Sequence, residues 1–235
     1  MLKKIWNWLF PPNDPPQPEL QVWLHDEFME AYSNGKRNFS NAILEGVDLT
    51  GIDLRGLNFK DSNLQMVINI QSSIQLGGAM LIGADISGLN LNGLDLSSAS
   101  LRGANLEGAQ LSCANLKGAN LSNTNLKGAN LSYANLAGAN LDKAELQGSE
   151  ISNGFLLKAS LSNASLEGAN LSKADLEGVN LGKADLTAVN LSWANLKGAN
   201  LNSATLTDTN FSGTDLTNVP KHSLDMALPL NTMRY

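Results

Sequence analysis

The sequence predicts an all-β solenoid, a square coil of about nine turns with an N-terminal capping helix. Three observations carry this prediction. From Ile74 to Asn218, 145 residues divide into 29 pentapeptides without a slip, each centred on Leu, Ile or Phe. Two residues before the centre stands a small or apolar residue, usually Ala, as at Ala104, Ala109, Ala114 and Ala119. An earlier block, Arg37 to Met66, holds six more pentapeptides centred on Phe39, Leu44, Leu49, Leu54, Phe59 and Leu64, so all 35 centres are apolar.

A period of five fits neither a helix nor a flat strand. Positions i−2 and i both face inward only if each pentapeptide is one short side of a coil, with Ala packed beside Leu. Positions i−1, i+1 and i+2 then face out. Four such sides close one coil. Stacked at about 4.8 Å, successive coils satisfy one another's backbone groups. Stability then comes from nearest-neighbour stacking.

The remaining segments follow in chain order. Residues 1–18 form an arm and a linker. Met1 to Phe10 is basic and aromatic, and residues 11–18 hold five of the seven prolines, an extended stiff spacer. Residues 19–35 read as the capping helix: Leu20, Trp23, Leu24, Phe28, Ala31 and Tyr32 recur at helical spacing, and Asn34-Gly35 stops them. The helix is expected to cover the open end of the first coil. The repeat domain spans 36–218, with one phase break at 67–73, since the step from Leu64 to Leu76 is not a multiple of five. That break reads as a bulge or corner loop. Residues 219–235 form a C-terminal cap or tail in which Leu224, Met226, Leu228 and Leu230 cover the last coil.

Composition narrows the function. The chain of 235 residues has 41 Leu and 29 Asn, but only 6% aromatic and 16% charged residues. That is not the make-up of an ordinary enzyme. No apolar run approaches the roughly 18 residues of a membrane span. A net charge of −6 argues against direct nucleic-acid binding. One cysteine, Cys113, excludes an internal disulfide and a thiolate zinc site, and two histidines leave little for acid–base chemistry. No catalytic residue, cofactor or metal site is expected. Carboxylate pairs such as Asp142 and Glu145 read as a solvated face, because a convex rod offers no cleft. Cys113 reads as a surface thiol. Asn-Leu-Ser triplets are generated by the repeat.

The outward positions are not uniform. Centres ending in 6 are mostly followed by a polar residue and Gly, as in Glu107-Gly108 and Lys117-Gly118, where Gly suits a corner needing φ > 0. Centres ending in 1 are mostly followed by Ser and a larger residue, as in Ser132-Tyr133 and Ser192-Trp193. Opposite faces should therefore be alike and adjacent faces different. The serine column (Ser112, Ser132, Ser152, Ser172, Ser192, Ser212) raises an ice-binding reading, weakened by its lack of Thr. Tyr133, Phe155, Leu157 and Trp193 break the polar rule and are the candidate partner-binding residues. Phe155 has a plainer reading, in which it folds back to compensate for Gly154, the replacement of an inward Ala.

Segments such as Ala114-Asn115-Leu116-Lys117-Gly118 and Ala119-Asn120-Leu121-Ser122-Asn123 resemble the pentapeptide-repeat family, whose motif is A(D/N)LXX, over about residues 37–218. The resemblance implies a right-handed quadrilateral β-helix, here a rod of roughly 40 Å. It also brings in gyrase-protecting members, which mimic DNA. Residues 36–218 carry 12 basic and 16 acidic residues, interleaved, a net of −4. Duplex DNA of the same length carries about 24 charges. The reading adopted is a non-catalytic, cytoplasmic bacterial scaffold for protein–protein interaction with an unknown protein partner. A DNA-mimicking modulator of a type II topoisomerase is the alternative. A homodimer and a weak membrane-surface contact through Met1–Phe10, which would place the protein at a membrane surface, remain open.

Overall fold

The computed structural model describes residues 19–50, 52–65, 67 and 76–224. The repeats dictate its hydrogen bonding. In the regular coils each pentapeptide has five backbone N–H groups, and four of them find backbone carbonyls. The side centred on Leu131 is typical. Leu131 N–H donates to Glu150 O of the next coil (2.6 Å), and Tyr133 N–H to Ser152 O (3.0 Å). Asn130 N–H donates back to Ala109 O (2.9 Å), and Ala134 N–H closes a turn onto Leu131 O (3.0 Å). The fifth N–H, at i+1, goes to a side chain: Ser132 N–H donates to Asn130 Oδ1 (3.1 Å).

Parallel bridges join i−1 residues to their counterparts four pentapeptides on, as in Asn105 to Asn125 to Glu145, so four pentapeptides make one coil. Across the phase break the bridged partners (Asn58 with Met80, Asn63 with Asp85) are separated by two positions more, which places two extra residues there. The expected bulge at 67–73 lies, apart from Val67, outside the described residues. Inside the rod, Ala and Leu columns form one continuous core from Trp23 to Leu224. Where Thr replaces the inward Ala, its hydroxyl donates to a carbonyl of the previous coil, as Thr124 does to Leu101 O (3.0 Å). Of the expected C-terminal cap, Leu224 is buried, while Met226, Leu228 and Leu230 lie outside the described residues.

Every described corner is left-handed, including those without the glycine that the sequence singles out. Gly108, Gly118 and Gly128 have φ of 62–66°, as expected for the centres ending in 6. The corners after centres ending in 1 share this conformation without Gly: Cys113, Asn123, Tyr133, Lys143, Lys173 and Trp193 have φ of 56–61°. Adjacent faces thus differ in residue type and not in backbone. A non-Gly residue there costs roughly 1–2 kcal/mol. The turn and cross-coil hydrogen bonds on both sides hold it in place.

The N-terminal segment differs from the expected Leu20–Tyr32 helix. Gln21–Val22 forms strand β1, paired in parallel with β2, Ala42–Ile43. Gln21 and Trp23 donate their N–H groups to Asn41 O and Ile43 O (2.9 Å each), which outweighs the helical spacing. Helix α1 covers only His25–Ser33, with Asp26 and Glu27 in its first turn, and ends at Asn34 before Gly35 (φ +87°). Phe28 is buried against Phe39 (centroids 4.7 Å apart), and Trp23 meets Phe39 edge-on at 5.3 Å. Leu20 and Leu24, expected on the apolar helical face, are exposed.

Candidate interaction surface

The outward face is built on a side-chain ladder. Asn at i−1 accepts the i+1 N–H through Oδ1 and donates Nδ2 to the counterpart one coil back. Asn170, Asn190 and Asn210 form such a run: Asn190 Nδ2 reaches Asn170 Oδ1 at 3.1 Å, and Asn210 reaches Asn190 at 3.2 Å. On a neighbouring column Asn195 Nδ2 donates to Asp175 Oδ1 (2.9 Å) and Asn115 Nδ2 to Asp95 Oδ1 (3.0 Å). The serine hydroxyl can join this system, as Ser132 Oγ donates to Asn130 Oδ1 (2.8 Å). The ladder explains why Asn recurs. Each pentapeptide has as many carbonyls as N–H groups, so the need for the ladder comes from the direction of the i+1 N–H in the coil and not from a count in the sequence.

Phe155 stands in that ladder. It bridges Asn135 and Asp175, and its N–H donates to Ala134 O (2.9 Å). It has no side-chain acceptor for Leu157 N–H and no amide to link Asn135 with Asp175. It is 53% exposed, and Leu157 beside it is 39% exposed. Tyr133, one coil back at the preceding corner, is 55% exposed. The coil hydrogen bonds Tyr133 N–H to Ser152 O (3.0 Å) and Gly138 N–H to Leu157 O (2.9 Å) put the three on adjoining coils. Trp193 is also outward, at 69% exposure, but Lys173 separates it from Asn153 in the same corner column. The structure therefore brings Tyr133, Phe155 and Leu157 together and leaves Trp193 apart.

The compensation reading for Phe155 does not match the geometry. A Cβ at Gly154 would lie 2.9 Å from Ile151 O, 3.2 Å from Ile151 Cγ2 and 3.3 Å from Leu156 Cδ1. The branched Ile151, in a column otherwise mostly Leu, fills the space of the missing methyl. Phe155 has no gap to cover. Trp193 is seated differently: a Cβ on Gly213 would meet its Cε3 at 2.7 Å, so the ring lies over the Gly213 corner.

Other apolar exposures were not singled out in the sequence. Leu20, Val22 and Leu24 face outward along β1, and Met80 is exposed on the column after the phase break. The period-two alternation around Val22 is the signal that would have shown the first group. Met1–Phe10, the proposed membrane contact, and the proline-rich linker at 11–18 lie outside the described residues. Among the described residues no group of His, Cys, Asp or Glu is placed to hold a metal ion, and no helix is long and apolar enough to cross a membrane. Asp53, Asp95 and Asp215 are shifted, all downward and chiefly by local hydrogen bonds. The Arg55 side chain, then its N–H, holds Asp53 at about 2. Ser97 lowers Asp95 and Thr217 lowers Asp215. Such shifts lock corners and do not poise an acid or base near neutrality.

Stacked coils with an inward Ala–Leu pair and an Asn ladder define a class, the β-solenoids built from five-residue sides. The chain belongs to the pentapeptide-repeat family: the model for pentapeptide repeats matches in eight copies, over residues 38–67 and, in overlapping runs, 79–182 and 184–219. Members fold as right-handed β-helices. Among solved structures the chain is similar to HetL, a pentapeptide repeat protein involved in heterocyst differentiation regulation from the cyanobacterium Nostoc sp. strain PCC 7120. Identity is 29% over 89% of this chain and 98% of that one, with a TM-score of 0.31. It is similar to QnrB1, a plasmid-mediated fluoroquinolone resistance protein, at 24% identity over 83% of this chain and 93% of that one, TM-score 0.40. It is also similar to Rfr23 from the cyanobacterium Cyanothece 51142, at 28% identity over 57% and 89%, TM-score 0.29. Comparison with curated proteins finds no match.

Proposed function

We propose that the protein is a non-catalytic interaction scaffold, a rod of about nine coils that presents Tyr133, Phe155 and Leu157 to a protein partner. The observation that carries the reading is Phe155. It occupies a ladder position that Asn135 and Asp175 fill on the adjoining coils, and it lies on the same or the next coil as two other exposed apolar side chains. Clustered apolar and aromatic groups on a polar surface are the usual core of a protein contact. The rigid rod holds them in fixed positions, so little ordering entropy opposes binding.

The charge pattern does not favour DNA mimicry. Cations are interleaved with the acids, and Lys127 pairs directly with Glu145 of the next coil. A phosphate mimic needs unpaired negative columns.

The test is the double change Phe155→Ser with Leu157→Ser. Crosslinked partner capture from the source cells, self-association by sedimentation and the melting temperature are read together. Loss of association at an unchanged melting temperature supports the reading. A lower melting temperature with association intact shows that the two residues only complete the wall.

A further inference from the structure

The candidate surface carries a second pattern along the rod. Gly118 N–H donates to Ala137 O (3.0 Å), Gly138 N–H to Leu157 O (2.9 Å) and Lys158 N–H to Glu177 O (2.9 Å). Lys117, Ala137, Leu157 and Glu177 therefore stand in one i+1 column on four successive coils, about 14 Å from end to end. Their order is cation, small, large apolar, anion. A half-turn about the midpoint of the column exchanges the first residue with the fourth and the second with the third. The column is then its own complement, with opposite charges at both ends and a knob against a hollow in the middle. An isologous contact between two copies needs this property, because every pairing across the axis occurs twice.

The surroundings leave the column open to such use. Among the described residues neither Lys117 nor Glu177 has an ion-pair partner. Leu157 is exposed, with Phe155 beside it. The hollow is Ala137 with Gly138. A Cβ at Gly138 would meet nothing within 4 Å, and the Lys158 stem leans the other way, with its Cγ 3.5 Å from a Cβ at Gly178. Asp175, the other acid here, is tied into the ladder by Asn195 Nδ2 (2.9 Å). The same half-turn sets Lys197 opposite Ser97, so no like charges meet further along the column.

We propose that the partner of this surface is a second copy of the chain, packed antiparallel about a two-fold axis that passes between the coils of Leu136 and Leu156. The proposal rests on the reading of Phe155 and Leu157 as a partner surface and names the partner. Leu157 seats against the partner's Ala137, and Phe155 covers the step at the partner's Gly138. Lys117 pairs with the partner's Glu177, and the axis repeats the pair at the other end. Charge and shape complementarity of the column with itself argue for a second copy, since an unrelated partner would not require a two-fold pattern. Four coils make a small footprint, so the dimer is weak and forms as concentration rises.

Sedimentation of the full chain tests this and should show a monomer–dimer equilibrium at micromolar to millimolar concentration. Lys117→Glu alone and Glu177→Lys alone each set like charges opposite one another twice, and each should weaken the dimer by about tenfold or more. Mixing the two variants should restore it, because a column with two acids then faces one with two lysines. Both exchanges in one chain should restore it as well. Melting temperatures should not change, since both side chains point outward. A chain that stays monomeric, a dimer indifferent to both reversals, or one that mixing does not restore overturns the proposal. Partner capture with Phe155→Ser and Leu157→Ser separates this failure from that of the underlying reading. A monomeric chain whose captured partner is lost in that variant refutes only the second copy. A monomeric chain whose capture is unaffected refutes the surface too.

Discussion

Replacing Leu131 with Ala tests the inward assignment where the rod is most regular. Leu131 is fully buried, and its column neighbours on the adjoining coils, Leu111 and Ile151, are buried as well. The change removes three carbons. At about 0.8 kcal/mol per buried CH₂, the transfer loss is roughly 2.4 kcal/mol. A cavity follows, because the backbone cannot move in. Leu131 N–H is held by Glu150 O at 2.6 Å, and its carbonyl by Ala134 N–H at 3.0 Å. At about 24 cal/mol per Å³, a residual void of roughly 40–50 Å³ adds about 1 kcal/mol. The expected loss is therefore about 3–4 kcal/mol. The converse change, Ala129→Leu, overpacks the same wall and should cost about 1–3 kcal/mol. Urea denaturation reads both, with Leu216→Ala at a partly buried centre as a control. Neutral results at positions 129 and 131 would refute the inward assignment. An equal loss at Leu216 and Leu131 would show that burial is not the source of the stability.

Three further outcomes are expected. Asp53, Asp95 and Asp215 have lowered pKa values, Asp53 at about 2, so each stabilises the fold fully above its unfolded value near 4. That contribution should fade as the pH drops from about 4 towards 2, and denaturation midpoints that stay flat over this window would count against the corner hydrogen bonds. Gly213→Ala should push the Trp193 ring off its corner, shift its fluorescence and destabilise by about 1 kcal/mol, since φ there is +72°; unchanged emission would show that the ring is not seated there. Phe155→Asn should restore the ladder and raise stability by about 0.5–1.5 kcal/mol in urea denaturation, and a loss of stability would mean that Phe155 supports the wall.

The repeat made most of the fold legible. Inward alternation fixes which residues are core, and the buried Ala114, Leu116, Ala119 and Leu121 follow it directly. Three features were less accessible. The corners at Tyr133 and Trp193 are left-handed without Gly, because hydrogen bonds from adjoining coils override an intrinsic preference. The strand at Gln21–Val22 was masked by apolar residues that also fit a helical spacing, and its pairing depends on Asn41 and Ile43, a full coil further along the chain. The Asn ladder depends on the direction of the i+1 N–H in the coil, which the hydrophobic pattern does not contain. Of the candidate surface, the outward direction of Tyr133, Phe155, Leu157 and Trp193 could be read from register alone. That Trp193 rests on Gly213 could not, since it depends on a rotamer.

The rod's outward positions are not equally free, and this separates the candidate residues. Tyr133 and Trp193 sit at i+2, where the backbone supplies the hydrogen bonding whatever the side chain, and Leu157 sits at i+1, where its N–H looks to the i−1 side chain and its own side chain plays no part. An apolar residue there leaves the ladder untouched. Position i−1 is different, because an Asn or Asp side chain there completes the backbone. Asn135 Oδ1 accepts Ala137 N–H at 3.1 Å, and Asp175 Oδ1 accepts Glu177 N–H at 3.3 Å. Phe155, between them, offers no acceptor to Leu157 N–H and breaks the column in two. Each missing hydrogen bond is worth about 0.5–1.5 kcal/mol. Core packing does not return that loss, because the Gly154 gap is filled by Ile151 from inside and the Phe155 ring is half exposed. A large apolar side chain that weakens its own coil and stays in solvent is more informative than an exposed one at a free corner. The argument for a partner surface therefore rests on Phe155 first, with Leu157 and Tyr133 as its neighbours and Trp193 as a separate feature of the same edge.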